Sequence, residues 1–248
     1  MENKTAILIL NGKEFDSRSF KDIYKDQFLI AVDGGINHIF NNFPNTKIDL
    51  HIGDMDSCDQ SAIDGLSIEK TIKFPVEKDY SDYDLALEEA YILGYNHFIV
   101  FGAFGGRRDH FISNYETSIY FTSKGLNKQS KNLFSILHKS KSTIDTDTPE
   151  IEEEVIPCCF SPVVLIGEKE NIYFLNSPTK FKFELDTKLS IFAGTEKVKH
   201  LTIKGFKYRL MDSEISRNSP LGLSNVAVDE TQSIEFTKGV LVVIENKP

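Results

Sequence analysis

The sequence has few cysteines, no long apolar run and no excess of positive charge, and each of these features excludes a class of protein. The cysteines are Cys58, Cys158 and Cys159, an odd count without CxxC spacing, which predicts a reduced, cytoplasmic chain. No stretch approaches the about 18 apolar residues of a membrane span, and the N-terminal segment is too strand-like for a signal peptide. The net charge of -9 argues against a nucleic-acid-binding surface, which needs a basic stripe.

The sequence does contain enough apolar residues, 40% of 248, for a sizeable core in one large domain or two smaller ones. In the first two thirds, short apolar runs alternate with helical patterns, which predicts an α/β domain with a doubly wound, mostly parallel, Rossmann-like sheet. The predicted buried strands are Thr5–Leu10, Phe28–Val32, Ile48–Ile52, Ile68–Phe74, His97–Phe101 and Val163–Ile166. The clearest predicted helices are Ser81–Leu93, with Ser81 and Asp84 spaced as in a capping box, and Asp109–Lys124.

After about residue 170 the pattern changes to strand-like runs separated by turn residues, which is typical of an all-β sandwich or barrel-like sheet. The runs are Ile172–Leu175, Lys180–Leu185, Lys188–Phe192, His200–Ile203, Ser233–Phe236 and Val240–Ile244. The two patterns predict domains at residues 1–168 and 169–248. A charged segment at about 128–157, acidic in its second half, is predicted to be an exposed insertion in the first domain.

Asp54 and Asp56 form the most informative pair in the sequence. They follow the predicted strand Ile48–Ile52, and Gly53 lets the backbone turn just before them. Two carboxylates two residues apart at a strand end offer hard oxygen ligands, which suit Mg²⁺ and the phosphates that accompany it. The alternative is a solvated turn with two ordinary acids. Other acidic or glycine-rich segments after neighbouring strands favour the metal site.

Two of these segments are acidic. Asp33-Gly34-Gly35 follows the strand Phe28–Val32, where the glycines either direct backbone N–H groups at an anion or form a plain tight turn. The segment from Lys78 to Asp82 lies at the start of a predicted helix, where acids also favour the helix dipole. In an open α/β sheet, ligands bind beyond the carboxyl ends of the strands, so both segments are predicted to lie at one edge.

The third segment is rich in glycine and follows the strand His97–Phe101. Gly105 and Gly106 allow the backbone to pass close to a phosphate, and the guanidinium of Arg107 can bind phosphate oxygens. The segment is neither GxGxxG nor a P-loop with GK[ST]. His110, at its end, also fits the role of a polar residue at the start of a helix.

Taken in order, these segments resemble those of the thiamine pyrophosphokinase family. The matching series is Val32–Gly35, Gly53–Ser57, Glu77–Asp82 and Gly105–His110, with Asn114 after it, and later Ile203–Tyr208 and Leu221–Asn225. Each motif is weak alone, but six in the same order are specific, and they cover nearly the whole chain apart from the insertion. Lys78 stands where some members have Gln, and the chain has no Trp, which some members stack on thiamine.

The resemblance implies an ATP-binding α/β domain and a C-terminal β-sandwich in a homodimer that transfers pyrophosphate from ATP to the hydroxyl of thiamine, giving thiamine diphosphate and AMP. The implied catalytic acids are Asp33, Asp54, Asp56 and Asp82, of which Asp54, Asp56 and Asp82 are expected to hold Mg²⁺. The implied ATP- and phosphate-binding residues are Gly34, Gly35, Lys78, Asp79, Ser81, Gly105, Gly106, Arg107, Asp109, His110 and Asn114. Ser224 and Asn225, predicted to lie in a small polar loop, are the implied thiamine contacts, supplied across the subunit interface.

Two other functions fit the acidic motif when it is taken by itself. One is a nucleotide-sugar transferase that uses Asp54-Met55-Asp56 as its DxD motif, and the other is a nucleotide-sensing module without turnover. Neither of these functions releases AMP when ATP and thiamine are supplied, so AMP formation distinguishes them from the pyrophosphokinase.

Overall fold

The computed structural model describes residues 4–124, 162–219 and 221–247. The expected insertion at about 128–157, together with Cys158 and Cys159, lies outside the described residues. In the part of the chain that the structure describes, none of the helices combines the length and the hydropathy required to cross a membrane.

The first half of the chain alternates short apolar strands with helices. In order, the elements are β1 (Thr5–Ile9), α1 (Ser17–Ile23), β2 (Phe28–Val32), a 3-10 turn (Asp33–Gly35), α2 (Ile36–Asn42), β3 (Ile48–Gly53), α3 (Gln60–Gly65), β4 (Ile68–Lys73), α4 (Asp82–Ile92), β5 (His97–Phe101), α5 (Arg108–Ser123) and β6 (Val163–Ile166). Strands β1 to β6 pair in parallel in the order β4-β3-β2-β1-β5-β6.

The predicted helix α4 shows why this segment is helical. Ser81 accepts from the Asp84 amide and Asp84 accepts from the Ser81 amide, so the predicted capping box is present and satisfies two N-terminal donors. Leu85, Ala86 and Ala90 are buried against the sheet. Gly94, with a φ of +89°, follows the helix, because a left-handed residue there is accessible to glycine without strain.

The second half of the described chain is antiparallel. Its strands are β7 (Glu170–Leu175), β8 (Thr179–Phe181), β9 (Lys188–Ala193), β10 (Lys197–Lys204), β11 (Leu210–Ser216), β12 (Gly222–Val226), β13 (Gln232–Glu235) and β14 (Leu241–Asn246). Four of them extend the parallel sheet into a single ten-stranded sheet, in the order β12-β9-β14-β7-β6-β5-β1-β2-β3-β4. The other four form a second sheet, in the order β11-β10-β13-β8.

Three clusters of buried apolar side chains hold these layers together. One joins α4 and α5 to one face of the parallel strands, and a second joins α1, α2 and α3 to the other face. The third lies between the four-stranded sheet and the antiparallel end of the large sheet, so this half is a sandwich. The expected domain boundary at residue 168 falls in the turn between β6 and β7, while the large sheet continues across it.

Three sequence predictions need correction. The segment Leu221–Asn225 is not a loop, because most of it forms β12, paired with β9. The strand β11 was not predicted, because its apolar residues do not alternate with polar ones and its register with β10 is irregular. The strand β4 was expected to be buried, but its residues are exposed or half-buried because it forms the edge of the large sheet.

Candidate active site

A cavity of about 600 Å³ lies at the carboxyl ends of the parallel strands. The loops that follow β1, β2, β3 and β5 contribute to it, together with the segment that leads into α4. This is the edge at which an open parallel sheet binds its ligands, because strand order reverses there between β1 and β5. Of the residues predicted from the sequence, the cavity is lined by Asp33, Asp54, Asp56, Lys78, Ser81, Asp82, Gly105, Gly106, Arg107, His110 and Asn114.

Three carboxylates converge in this cavity. Asp33, Asp54 and Asp82 each place one oxygen so that the three atoms lie within 4.8 Å of one another. Lys78 lies among them, with its Nζ 3.0 Å from Asp54 Oδ2 and 3.1 Å from Asp82 Oδ1. Strand β3 positions Asp54, the turn after β2 positions Asp33, and the first residue of α4 is Asp82.

The electrostatics of the three acids differ. Burial acts to raise the pKa of Asp54, but hydrogen bonds from Lys78 and the Asp56 amide outweigh burial and lower it. Burial raises the pKa of Asp82 above its ordinary value, although Lys78 acts in the opposite direction. Burial also opposes the charge of Lys78, but the nearby carboxylates of Asp54 and Asp82 raise its pKa overall, so the ammonium stays charged.

The donor set fits a hard divalent cation. All three converging ligands are carboxylates, as Mg²⁺ and Ca²⁺ prefer. Asp82 Oδ1 is buried, and its approach to Lys78 lacks hydrogen-bond geometry, so this oxygen has no hydrogen-bond donor in the described structure. A buried carboxylate oxygen without a donor is the kind of atom that a metal ion ligates.

Asp33 is held in an unusual backbone conformation. Its φ is +47°, in the left-handed region that non-glycine residues rarely adopt. The His51 Nε2–H donates to its carbonyl oxygen at 3.1 Å, and the Ser57 hydroxyl donates to its carboxylate. Gly53 allows the close approach, since a Cβ there would lie 2.9 Å from the Asp33 Cβ. Strain of this kind is retained where the surroundings fix the conformation, which is common at functional sites.

Asp56 occupies a different position from Asp54. Its side chain is exposed and lines the cavity, but it is not one of the three converging ligands. Repulsion from the Asp54 carboxylate raises the pKa of Asp56, with Asp33 acting in the same direction. The cluster of converging carboxylates therefore contains Asp54 and Asp82 of the predicted metal set, together with Asp33, which was predicted as a catalytic acid.

Four of the predicted phosphate-binding residues do not line the cavity. Gly34 and Gly35 are buried against the end of β1, where a Cβ on Gly35 would lie 1.9 Å from the Ile9 carbonyl oxygen. Asp79 is outside the lining as well, and so is Asp109. The two glycines are thus required by close packing, which the sequence could not distinguish from anion binding.

Arg107 reaches the cavity from the glycine-rich turn. Gly105 and Gly106 have φ values of +77° and +74°, so the turn requires residues that tolerate left-handed backbone. The guanidinium of Arg107 donates to both carboxylate oxygens of Asp109, and the two side chains are 70% and 62% exposed. This pairing lowers the pKa of Asp109 to about 2. Asn114 donates to the Ala103 carbonyl at 3.3 Å.

Sequence reasoning missed the loop between β1 and α1. Asn11, Gly12 and Lys13 line the cavity, next to the glycine-rich turn and the acidic cluster. The available signal was the dipeptide Asn11-Gly12 directly after a predicted strand, because the carboxyl end of every parallel strand lies at the same edge.

Ser224 and Asn225 do not line this cavity. They are on β12, and five strand spacings of about 4.8 Å separate β12 from β5, or about 24 Å. Asn225 is 2% exposed, and its amide accepts from the Tyr208 N–H and donates to the Tyr208 carbonyl. Ser224 is exposed, with a φ of +58° in a bulge of the strand. Ser224 can reach a ligand, whereas the amide of Asn225 already bonds its own chain.

Several large apolar side chains on β12 and in the second half of the chain are exposed. Met211, Leu221 and Leu223 are 79%, 67% and 62% exposed, and Leu185, Tyr208 and Val228 are also exposed. We call these six residues the apolar face. Large apolar side chains clustered on a surface mark an interaction site more often than isolated ones do.

Comparisons with known proteins agree with this arrangement. The family model described as thiamin pyrophosphokinase, catalytic domain, matches residues 21–129, and the model described as thiamin pyrophosphokinase, vitamin B1 binding domain, matches residues 179–241. The thiamine pyrophosphokinase of Bacillus subtilis is 27% identical over 176 residues, which cover 70% of this chain and 65% of that protein. The match therefore spans slightly less than two thirds of the relative's own length.

Solved structures of similar proteins share the fold over nearly the full chain. The thiamine pyrophosphokinase from Bacillus subtilis has a TM-score of 0.71 at 21% identity, covering 98% of this chain and 99% of that one. The thiamin pyrophosphokinase from Geobacillus thermodenitrificans has a TM-score of 0.70 at 21% identity, covering 98% of each chain. The thiamin pyrophosphokinase from Candida albicans has a TM-score of 0.63 at 17% identity, covering 99% of this chain and 90% of that one.

Proposed function

The chain belongs to the thiamin pyrophosphokinase family, and from that premise we propose that it transfers the pyrophosphoryl group of ATP to the hydroxyl of thiamine. The products are thiamine diphosphate and AMP. A cytoplasmic location, expected from the odd cysteine count, is part of the proposal. The observation that carries it is the convergence of Asp33, Asp54 and Asp82 around Lys78 at the ligand-binding edge of the sheet.

Charge neutralisation and alignment are the main requirements of phosphoryl transfer, and the cavity supplies groups for both. We assign Asp33, Asp54 and Asp82 to hold Mg²⁺, with Asp56 beside them as a further candidate ligand. Bound Mg²⁺ would neutralise charge on the ATP phosphates. Because Lys78 is already charged and lies among the acids, it is placed to bind phosphoryl oxygens when a cation takes over its carboxylate partners.

Proton transfer needs an acceptor near the attacking hydroxyl of thiamine. Two acids of the cluster are candidates, Asp82 and Asp33. Burial raises the pKa of Asp82, which brings it closer to the range of a general base. The carboxylate of Asp33 already accepts from Ser57, so one of its oxygens is occupied.

The thiamine site is proposed to be shared between two subunits. Within one chain, the separation of about 24 Å between β12 and β5 is too long for Ser224 to touch a substrate held at the acidic cluster. A second subunit can bring Ser224 to that cluster if the apolar face is the dimer interface. Exposed Leu and Met side chains are typical of such surfaces, because their burial drives association.

The experiment that tests the reaction is AMP formation from ATP with and without thiamine. We expect AMP and thiamine diphosphate to form in equal amounts, and only when thiamine and Mg²⁺ are present. A free nucleoside diphosphate released from a nucleotide sugar would indicate the transferase instead. Binding of ATP with Mg²⁺ but without AMP release would indicate a nucleotide sensor.

The experiment that tests the shared site is complementation. Under this proposal, chains with Asp54→Asn are inactive. Chains with Ser224→Tyr are inactive as well, because the larger side chain fills the thiamine-binding part of the site. Each mixed heterodimer keeps one intact composite site out of two. Random exchange makes about half of the dimers heterodimers, so activity should return to about a quarter of wild type. If subunits exchange, shown by tagged chains, and no activity returns, thiamine is held within one chain.

A further inference from the structure

The loop Asn11–Lys13 is part of the cavity wall, yet it precedes the residues matched by the catalytic family model, which begin at residue 21. It leaves the end of β1 between the turn that carries Asp33 and the turn that carries Gly105 and Gly106. A side chain on this loop therefore faces the same space as the acidic cluster.

The backbone of this loop is held in place on two sides. The Gly12 N–H donates to the Gly102 carbonyl at 2.7 Å, and the Glu14 N–H donates to the Phe104 carbonyl at 3.1 Å. His38 Nε2–H donates to the Gly12 carbonyl at 2.8 Å, and burial lowers the pKa of His38, which keeps its ring neutral. A binding group on this loop is thus pre-organised, which reduces the entropy lost on binding.

The side chain of Lys13 runs over the glycine-rich turn. Its Cγ, Cδ and Cε atoms lie 3.5, 3.8 and 3.9 Å from the position that a Cβ on Gly106 would occupy. Because Gly106 has no side chain, the Lys13 side chain has room to lie across the turn. The Lys13 ammonium is therefore held near the turn, where the backbone can approach a phosphate closely.

Lys13 also differs in charge pairing from the other strongly basic residues of the cavity. Lys78 is paired with Asp54 and Asp82, and Arg107 is paired with Asp109. Within the described ranges, Lys13 has no carboxylate within ion-pair distance, so its charge is available to an incoming anion. The triphosphate of ATP is such an anion, and lysine binds phosphate as a mobile point charge.

We propose that Lys13 binds the polyphosphate of the nucleotide substrate from the β1 side of the cavity. This assignment rests on the proposed function for the identity of the substrate. It adds a binding residue that no motif of the chain contains, and it places the contact at the polyphosphate rather than at the adenosine.

The kinetic test compares Lys13→Ala, Lys13→Arg and the control Lys21→Ala, which removes an exposed lysine of α1 outside the cavity. Lys13→Ala should raise the KM for ATP about tenfold, as expected for loss of a charge-assisted contact, and leave the KM for thiamine unchanged. Lys13→Arg should stay within about threefold of wild type, since the charge is kept. An unchanged KM for ATP in Lys13→Ala would overturn the assignment.

The location of the contact is tested with two inhibitors. Inhibition by inorganic tripolyphosphate should weaken about tenfold in Lys13→Ala, whereas inhibition by AMP should stay the same. Equal weakening of both would place Lys13 at the adenosine side or show a general disturbance of the loop, and either result contradicts the proposal. Melting temperatures of all variants should agree, because Lys13 is exposed.

A direct binding measurement separates this inference from the proposed reaction. Calorimetry of tripolyphosphate binding with Mg²⁺ does not require turnover, so it is informative even if wild type forms no AMP. Weaker binding to Lys13→Ala than to Lys21→Ala supports the role of Lys13. Equal binding to both variants refutes that role, whether or not wild type is a pyrophosphokinase.

Discussion

The ten-stranded sheet has a parallel half and an antiparallel half, and the two halves differ in where their polar residues lie. In the parallel half, β1 and β2 are apolar nearly throughout, and charged residues from several loops meet beyond the carboxyl ends of the strands. In the antiparallel half, β12 exposes the neighbouring residues Leu223 and Ser224 at a bulge, so that an apolar and a polar side chain both reach solvent. The parallel half therefore concentrates charge in a cavity, whereas the antiparallel half presents a surface.

This difference explains why the two candidate sites are unequally complete. The acidic cluster gathers residues from three segments of one chain, with the three carboxylates within 4.8 Å of one another and Lys78 paired to two of them. At β12, Asn225 bonds Tyr208 of its own chain, and the exposed Ser224, whose N–H donates to Ser190 Oγ, lies next to Leu223 of the apolar face. The acidic cluster can form within one folded chain, whereas the surface at β12 has the features of one half of a site that is shared with a second chain.

The largest expected effect concerns the acidic cluster. Asp54→Asn removes one of three converging charges while keeping the shape of the side chain, so turnover should fall by about a hundredfold or more. The melting temperature should change little. The matched control is Asp64→Asn, an exposed helical residue that accepts from Gln60 and should be neutral. Wild-type AMP production by Asp54→Asn would show that the cluster is not the catalytic centre.

The next effect concerns the apolar face. Leu223→Asp places a charge in the proposed interface, which should weaken the dimer about thirtyfold, corresponding to about 2 kcal/mol. Activity should become dependent on protein concentration. The control is Leu93→Asp, an equally large substitution at a partly exposed position of the parallel half, which should stay dimeric. Sedimentation analysis measures both, and an unaltered Leu223→Asp dimer would remove the apolar face as the interface.

A smaller effect is expected at the rim of the cavity. Arg107→Ala should raise the KM for ATP about fivefold, less than a buried contact would, because the side chain is exposed and shares its charge with Asp109. Arg107→Lys should be intermediate, since it keeps the charge but loses the fork. The neighbouring Arg108→Ala serves as the control, because Arg108 does not line this cavity. Equal effects at both positions would mean that only general positive charge matters.

The smallest effect is expected at Ser224 on β12. Ser224→Ala removes one neutral hydrogen bond, so the KM for thiamine should rise about threefold and that for ATP should not change. Ser233→Ala, on β13 in the other sheet, is the control. A matching rise in the KM for ATP would show that β12 influences the whole cavity rather than thiamine alone.

The sequence predicted the parallel half well, because its signals are local. Ser81 and Asp84 specified the start of α4, and continuous apolar runs specified β2 and β5. Where periodicity and capping determine an element, the prediction and the structure agree.

The antiparallel half was harder to predict, because long-range pairing determines its strands. The residues of β11 and β12 include few that favour strands, and the positive φ values of Asp212 and Ser224 mark irregularities that no local pattern reveals. The same reason applies to the acidic cluster. Asp33 converges with Asp54 and Asp82 because of the strained turn after β2, which spacing along the sequence cannot indicate.

The position of β14 has a consequence for the order of folding. It follows every other strand in the sequence, yet it lies between β7 and β9 and pairs with both. Until β14 is synthesised, each of those strands has an unpaired edge, which is a template for aggregation. Val242 packs in the core of the parallel half and Leu241 and Val243 pack in the core of the sandwich. Insertion of this strand therefore completes both cores in one step, so the half of the protein that is translated first depends on its last strand to become fully stable.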